Sequence, residues 1–91
     1  MEVQNLKRTT GRTCDCCSSW IGHWEKMTGE SARQCKAKNC GNNADVGAHV
    51  IRPSNNEWRI VPFCYECNKR EGWIELNKSA KTVSADHFSC E

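Results

Sequence analysis

Four cysteines arranged as two pairs dominate the chemistry this chain can do. Cys35 and Cys40 bracket Lys-Ala-Lys-Asn, and Cys64 and Cys67 bracket Tyr-Glu in a C-x2-C pair. Closely spaced cysteines offer their sulfurs to one ion, and two pairs supply four thiolates. This suits a closed tetrahedral Zn2+ site with Zn–S near ~2.3 Å. His49 lies between the pairs, in Val-Gly-Ala-His-Val.

A second set of metal-binding residue types sits at the two ends. Cys14, Cys16 and Cys17 fall within four residues, His23 follows them, and the C-terminal stretch holds His87 and Cys90 in H-x2-C. Four of these six would complete a second tetrahedral centre tying the ends together. The alternatives are a helix-flank histidine and a free terminal thiol.

The elements that must hold these residues follow from pattern. Ser18-Ser19 offers a helix N-cap. Trp20, Ile21, Trp24 and Met27 then form one apolar helical stripe that Gly29 ends, so the two tryptophans are expected in the core. Gly41-Asn42-Asn43 supplies tight turning after the first cysteine pair. Residues 45–52 and 58–63 read as strands around the turn cluster Pro53-Ser-Asn-Asn56, a hairpin. Pro62 marks the second strand as an edge or as ending. A short helix is expected from Cys64 to Gly72, with the cysteine pair in its first turn, where the helix N-terminus favours thiolate charge. Residues 73–76 and 81–85 read as short strands. Residues 1–13 are polar and basic without a period, and are expected to form a flexible basic arm before a single zinc-binding domain over 14–91.

Composition narrows the class. With 91 residues, eight of them cysteine, the chain is short enough to need a metal or disulfides. No signal-like or membrane-spanning run is present, so the expected location is the reducing cytoplasm, where metal is favoured over a disulfide scaffold, with no membrane partner. The net charge of +2 is compatible with nucleic acid but does not single it out. No phosphate-binding glycine loop or dinucleotide fingerprint occurs.

The order of knuckle, histidine-bearing hairpin and cysteine pair opening a helix resembles a treble-clef zinc finger, and more narrowly the HNH group of ββα-metal endonucleases. The resemblance covers residues 35–72, through Gly-Ala-His49-Val-Ile and Ile-Val-Pro-Phe-Cys64-Tyr-Glu-Cys67-Asn68-Lys-Arg-Glu-Gly72. Small bacterial proteins with no assigned activity are also similar over most of the chain, including the Trp-rich segment and Gly-Ala-His-Val. The HNH resemblance implies a small zinc-stabilised α+β domain with an HNH-like ββα core after an N-terminal Trp-rich helix. It implies Cys35, Cys40, Cys64 and Cys67 as structural zinc ligands, His49 as general base, and Asn68 as helix ligand to a catalytic Mg2+ or Mn2+. Three features depart from the family pattern. Ala48 stands where the family has its first cation ligand, the first knuckle has four intervening residues instead of two, and the hairpin turn is not glycine-rich. The Ala48 departure is the serious one, because alanine cannot ligate. The expected function is therefore a zinc-binding module for DNA or RNA, a degenerate or weakly active nuclease. The alternative is a zinc-stapled interaction protein, a regulator or inhibitor of the kind mobile elements also encode, anchored on a protein partner through Trp58 or Trp73.

Overall fold

A computed structural model describes residues 1–6, 20–53 and 55–84. It is a small α+β fold built on one antiparallel sheet. In chain order the elements are β1 (Glu2–Asn5), α1 (Trp20–Thr28), β2 (Val46–Arg52), β3 (Asn55–Phe63), α2 (Tyr65–Asn68), β4 (Trp73–Glu75) and β5 (Val83–Ser84). The strands lie in the order β4-β1-β2-β3-β5.

The β2–β3 hairpin sets the frame. Ala48 pairs with Val61 and His49 with Ile60. Because side chains alternate across a strand, these two pairs point to opposite faces of the sheet. One face carries Ala48, Val50, Val61 and Phe63, packed with Val3, Ile74, Leu76, Cys35, Ala37, Cys64 and Cys67. The other carries Ile60, packed with Trp20, Trp24 and Val83 under α1. The cysteine pairs and the Trp-rich helix thus occupy separate sides of the hairpin.

Gly47 explains how α1 approaches so closely. A Cβ at Gly47 would lie 2.6 Å from the backbone of both Trp20 and Ile21. The helix sits directly on the β2 backbone there, in space that only glycine leaves open. Trp24 is fully buried, and its indole N–H donates to the Lys81 carbonyl at 2.8 Å. The helix ends at Gly29, which adopts φ +72°, as the C-terminal glycine predicts.

Several local expectations need correction. Residues 1–13 read as a flexible arm because they are polar, but Glu2–Asn5 form β1, seated between β2 and β4. One fully buried side chain, Val3, anchors this strand. A four-residue strand with a single apolar residue carries no detectable period. The buried side of α1 is Trp20, His23 and Trp24, while Met27 is 48% exposed. A nine-residue helix lying on a sheet buries a narrow stripe, which here stops at Trp24, one turn before Met27. The left-handed residue near the first cysteine pair is Asn39, at φ 63°, inside the knuckle instead of after it. The hairpin's second strand starts at Asn55, three residues earlier than its apolar pattern suggests.

Pro62 sits in β3 opposite Gly47, and its carbonyl accepts from Lys36 N–H at 2.9 Å. This carbonyl points away from β2, so the missing proline N–H also faces outward. Among the described residues β5 pairs with Arg59 and Ile60 and no strand pairs with Pro62 on that side, so no ladder bond is lost there.

Candidate metal centre

The first cysteine pair lies on a loop that closes the open side of the sheet. Lys36 N–H donates to Pro62 at the end of β3, Lys38 N–H donates to the Glu75 carbonyl at 2.8 Å, and Asn77 N–H donates to the Lys36 carbonyl at 2.9 Å. Ala37 bridges Leu76 antiparallel. The knuckle therefore spans from β3 to β4 and brings Cys35 and Cys40 over the core face. The second pair comes from the end of β3. Cys64 is the N-cap of α2, and its sulfur accepts from Cys67 N–H at 3.5 Å. The Tyr65 N–H is met by the Asp45 carboxylate at 3.0 Å. The pair opens a helix, as expected, but that helix is a single turn.

A side chain from β1 explains the early stop. Asn5 Nδ2 donates to the carbonyls of Cys67 at 2.8 Å and Arg70 at 3.0 Å. A longer helix would need the Cys67 carbonyl for its own ladder. Instead Lys69 and Arg70 close tight three-residue bonds onto Glu66 and Cys67, and Gly72 at φ +80° turns the chain into β4. Replacing Asn5 with Ala takes the side-chain donor from both carbonyls and leaves the Cys67 carbonyl with the Arg70 N–H alone. The expected cost is about 1–3 kcal/mol, read as a lowered denaturant midpoint for Asn5→Ala, with Asn5→Asp also impaired because a carboxylate cannot donate.

The four sulfurs of Cys35, Cys40, Cys64 and Cys67 all lie within 4.8 Å of one another. Cys40 Sγ is 3.9 Å from both Cys64 Sγ and Cys67 Sγ. A tetrahedron with metal–sulfur bonds of ~2.3 Å has edges of about 3.8 Å. Cys35, Cys64 and Cys67 are buried and Cys40 is half-buried, and none of the four is in a disulfide. The donor set fits a soft divalent ion held in a closed, structural site.

The thiols are not equivalent. Burial opposes ionisation of Cys64, but the Cys67 N–H and then the Asn42 amide outweigh it and bring its pKa down to about 7. Burial, reinforced by neighbouring Cys64, pushes Cys67 up to about 12. Burial also raises Cys35. At neutral pH Cys64 is thus closer to its thiolate form than Cys67 or Cys35, and metal binding must displace protons from those two. Metal affinity accordingly falls as pH falls. The Asn42 amide donates to Cys64 Sγ at 3.7 Å. Removing it raises the Cys64 pKa and leaves less thiolate. Asn42→Ala is expected to weaken metal binding by about tenfold, measured by competition with a chromophoric chelator at neutral pH.

His49 and Asn68 do not come together. His49 lies on the α1 face, 7% exposed, with its ring edge-on to Trp20 at 4.9 Å and to Trp58 at 6.3 Å. Asn68 closes α2, whose Cys67 packs on the opposite face of the hairpin. A base at His49 beside a cation on Asn68 would need the two side chains on one face of the hairpin, and they lie on different ones. With Gly47 against α1 and Ala48 facing the cysteine core, strand alternation turns His49 toward the tryptophans and away from α2. Ala48 is 2% exposed and packs in the core, where no ligand could substitute without displacing it.

His23, a candidate for the second centre, is fully buried; its Nε2 lies 2.9 Å from the Ser84 carbonyl and its ring stacks edge-on with Trp20 at 5.3 Å. The other candidates, Cys14, Cys16, Cys17, His87 and Cys90, lie outside the described residues. Asn5 and Asn42 are site residues that sequence pattern does not disclose. Both act through side-chain hydrogen bonds whose partners are distant in sequence.

Among the described residues, no helix is long and apolar enough to cross a membrane. No protein-family model, curated protein or solved structure matches the chain.

Proposed function

We propose that the chain is a zinc-stapled binding domain of treble-clef type that docks on single-stranded nucleic acid without cutting it. The observation that carries the zinc reading is the cluster of four sulfurs at near-tetrahedral separations. Zn2+ matches this donor set because it accepts four thiolates without preference for another geometry. The order of knuckle, hairpin and cysteine-capped turn agrees with a treble clef. The separation of His49 from Asn68, together with Ala48, speaks against the nuclease chemistry of the HNH group.

The docking surface starts at the metal. Lys69 and Arg70 follow Asn68, the last residue of α2, and both are exposed. Tyr65 before them is 58% exposed and Trp73 after them 46% exposed. Two aromatic faces bracketing two cations suit unpaired bases and their phosphates. The Asn5 hydrogen bonds to Cys67 and Arg70 hold this loop to the sheet, so little ordering remains for binding to supply. Glu66 in α2 and Glu71 on the loop offset part of the charge. Stacking therefore carries more of the affinity than phosphate contact. Fluorescence anisotropy with a labelled single strand tests this. Two phosphate contacts give a log–log salt slope of about −1.4. Lys69→Ala/Arg70→Ala flattens that slope, and Trp73→Ala costs about 1–3 kcal/mol of binding. Absence of binding at low salt, to DNA and RNA alike, would remove the proposal.

A further inference from the structure

The far end of the hairpin carries an arrangement that neither the metal nor the loop after it uses. Arg52 ends β2, just past an irregularity in its pairing with β3 between Val50 and Arg52. Such a bulge re-aims the side chains that follow it. Arg59 lies on β3. Both guanidinium groups converge on one hydroxyl. Arg52 Nη2 is 3.2 Å and Arg59 Nε 3.1 Å from Thr82 Oγ1, while Arg59 Nη2 donates to the Thr82 carbonyl at 2.7 Å. A hydroxyl oxygen has two lone pairs, so these two donors fill it.

Two full positive charges are thus held side by side around one neutral atom. Glu57 alone among the described acids is paired there, at 3.5 Å from Arg59 Nη1, and it is about half exposed. The remaining positive charge sits on Arg52, whose buried Nε has no hydrogen-bond partner among the described residues. Like charges in contact and an unmet buried donor both raise the free energy of the folded chain. An anion beside the two guanidinium groups offsets their like charge. Planar guanidinium forks match tetrahedral and carboxylate oxyanions in two-pronged fashion, and phosphoryl groups carry the most charge.

The geometry points to Arg52, Arg59 and Thr82 as a binding site for a phosphoryl group. The site lies along the β5 side of the sheet and does not depend on the nucleic-acid reading of the loop beside α2. Thr82 sets the spacing of the two cations, and its carbonyl fixes the plane of Arg59. The phosphoryl group can belong to a nucleic-acid backbone or to a small phosphorylated molecule, and the chemistry of recognition is shared.

The experiment uses the full metal-loaded chain and follows the arginine Nε–H resonances by NMR. Inorganic phosphate is titrated against chloride at matched ionic strength. The expected result is a saturable shift of the Arg52 and Arg59 resonances with phosphate and none with chloride. Arg52→Gln should weaken the phosphate response of Arg59 about tenfold. Arg52→Lys, which keeps the charge but not the fork, should recover it only in part. A linear shift common to both salts, or a saturable shift unchanged in Arg52→Gln, would overturn the site. The wild-type titration decides this even if a variant fails to fold. A short single-stranded oligonucleotide that shifts the same two resonances and is displaced by phosphate would identify a backbone source. Phosphate binding without an oligonucleotide response would support the site with a small ligand.

Discussion

Stripping the metal from this chain with a strong chelator is expected to unfold it. Cys35, Cys64 and Cys67 belong to the main core, together with Val3, Val50, Val61, Phe63, Ile74 and Leu76. The knuckle that carries Cys35 and Cys40 is also what joins the ends of β3 and β4, through Lys36, Lys38 and Asn77. Release of the ion therefore frees the loop that closes the core, as well as four sulfurs. A structural zinc contributes on the order of 10 kcal/mol near neutral pH, and the whole net stability of a domain is about 5–15 kcal/mol. Far-UV circular dichroism and amide dispersion should collapse on chelation and return when zinc is added back. Cys64→Ser should fold poorly without any chelator, because the sulfur lost is one of the four and also caps α2. Retention of the folded signal after complete metal removal would mean the hydrophobic core suffices by itself.

Gly47→Ala is expected to be the most damaging change away from the metal. The added carbon would meet Trp20 C and Ile21 N at 2.6 Å and Trp20 Cβ at 2.9 Å. Two of these atoms are backbone and cannot swing aside, so α1 must lift as a unit. Lifting it withdraws Trp20 from His49 and Trp24 from Ile60 and Val83. Overpacking of this kind costs about 3 kcal/mol, the upper end of its usual range. For a domain of this size that corresponds to a fall in Tm of roughly 12–24 °C. Loss of near-ultraviolet tryptophan dichroism, with zinc still bound, would show the damage confined to the α1 face. A Gly47→Ala chain as stable as wild type would contradict the close helix–strand approach.

Much of this fold is legible in the residues themselves. The two cysteine pairs, the hairpin between them and the glycine-terminated Trp helix each announce themselves through spacing or turn chemistry, and each is present. The features that escape are set by contacts distant in sequence. β1 has one core residue and is a strand only because β2 and β4 flank it. α2 ends where Lys69 and Arg70 tighten the last turn and Asn5 bonds the Cys67 and Arg70 carbonyls from a distant strand. The facing of His49 is a matter of register, since a shift of one residue would turn it toward α2. Motif order places a histidine on the hairpin but does not say which face it takes. That difference separates a catalytic pair from a histidine packed between two tryptophans.

The most direct measurement is cadmium NMR of the metal-substituted chain, which reads through-bond coupling from the ion to cysteine β protons and so names its ligands. One cadmium coupled to Cys35, Cys40, Cys64 and Cys67 is the predicted result. A cadmium coupled to fewer of these four, or a chain in which they are paired as disulfides and take up no metal, would contradict the tetrathiolate centre on which the fold is closed.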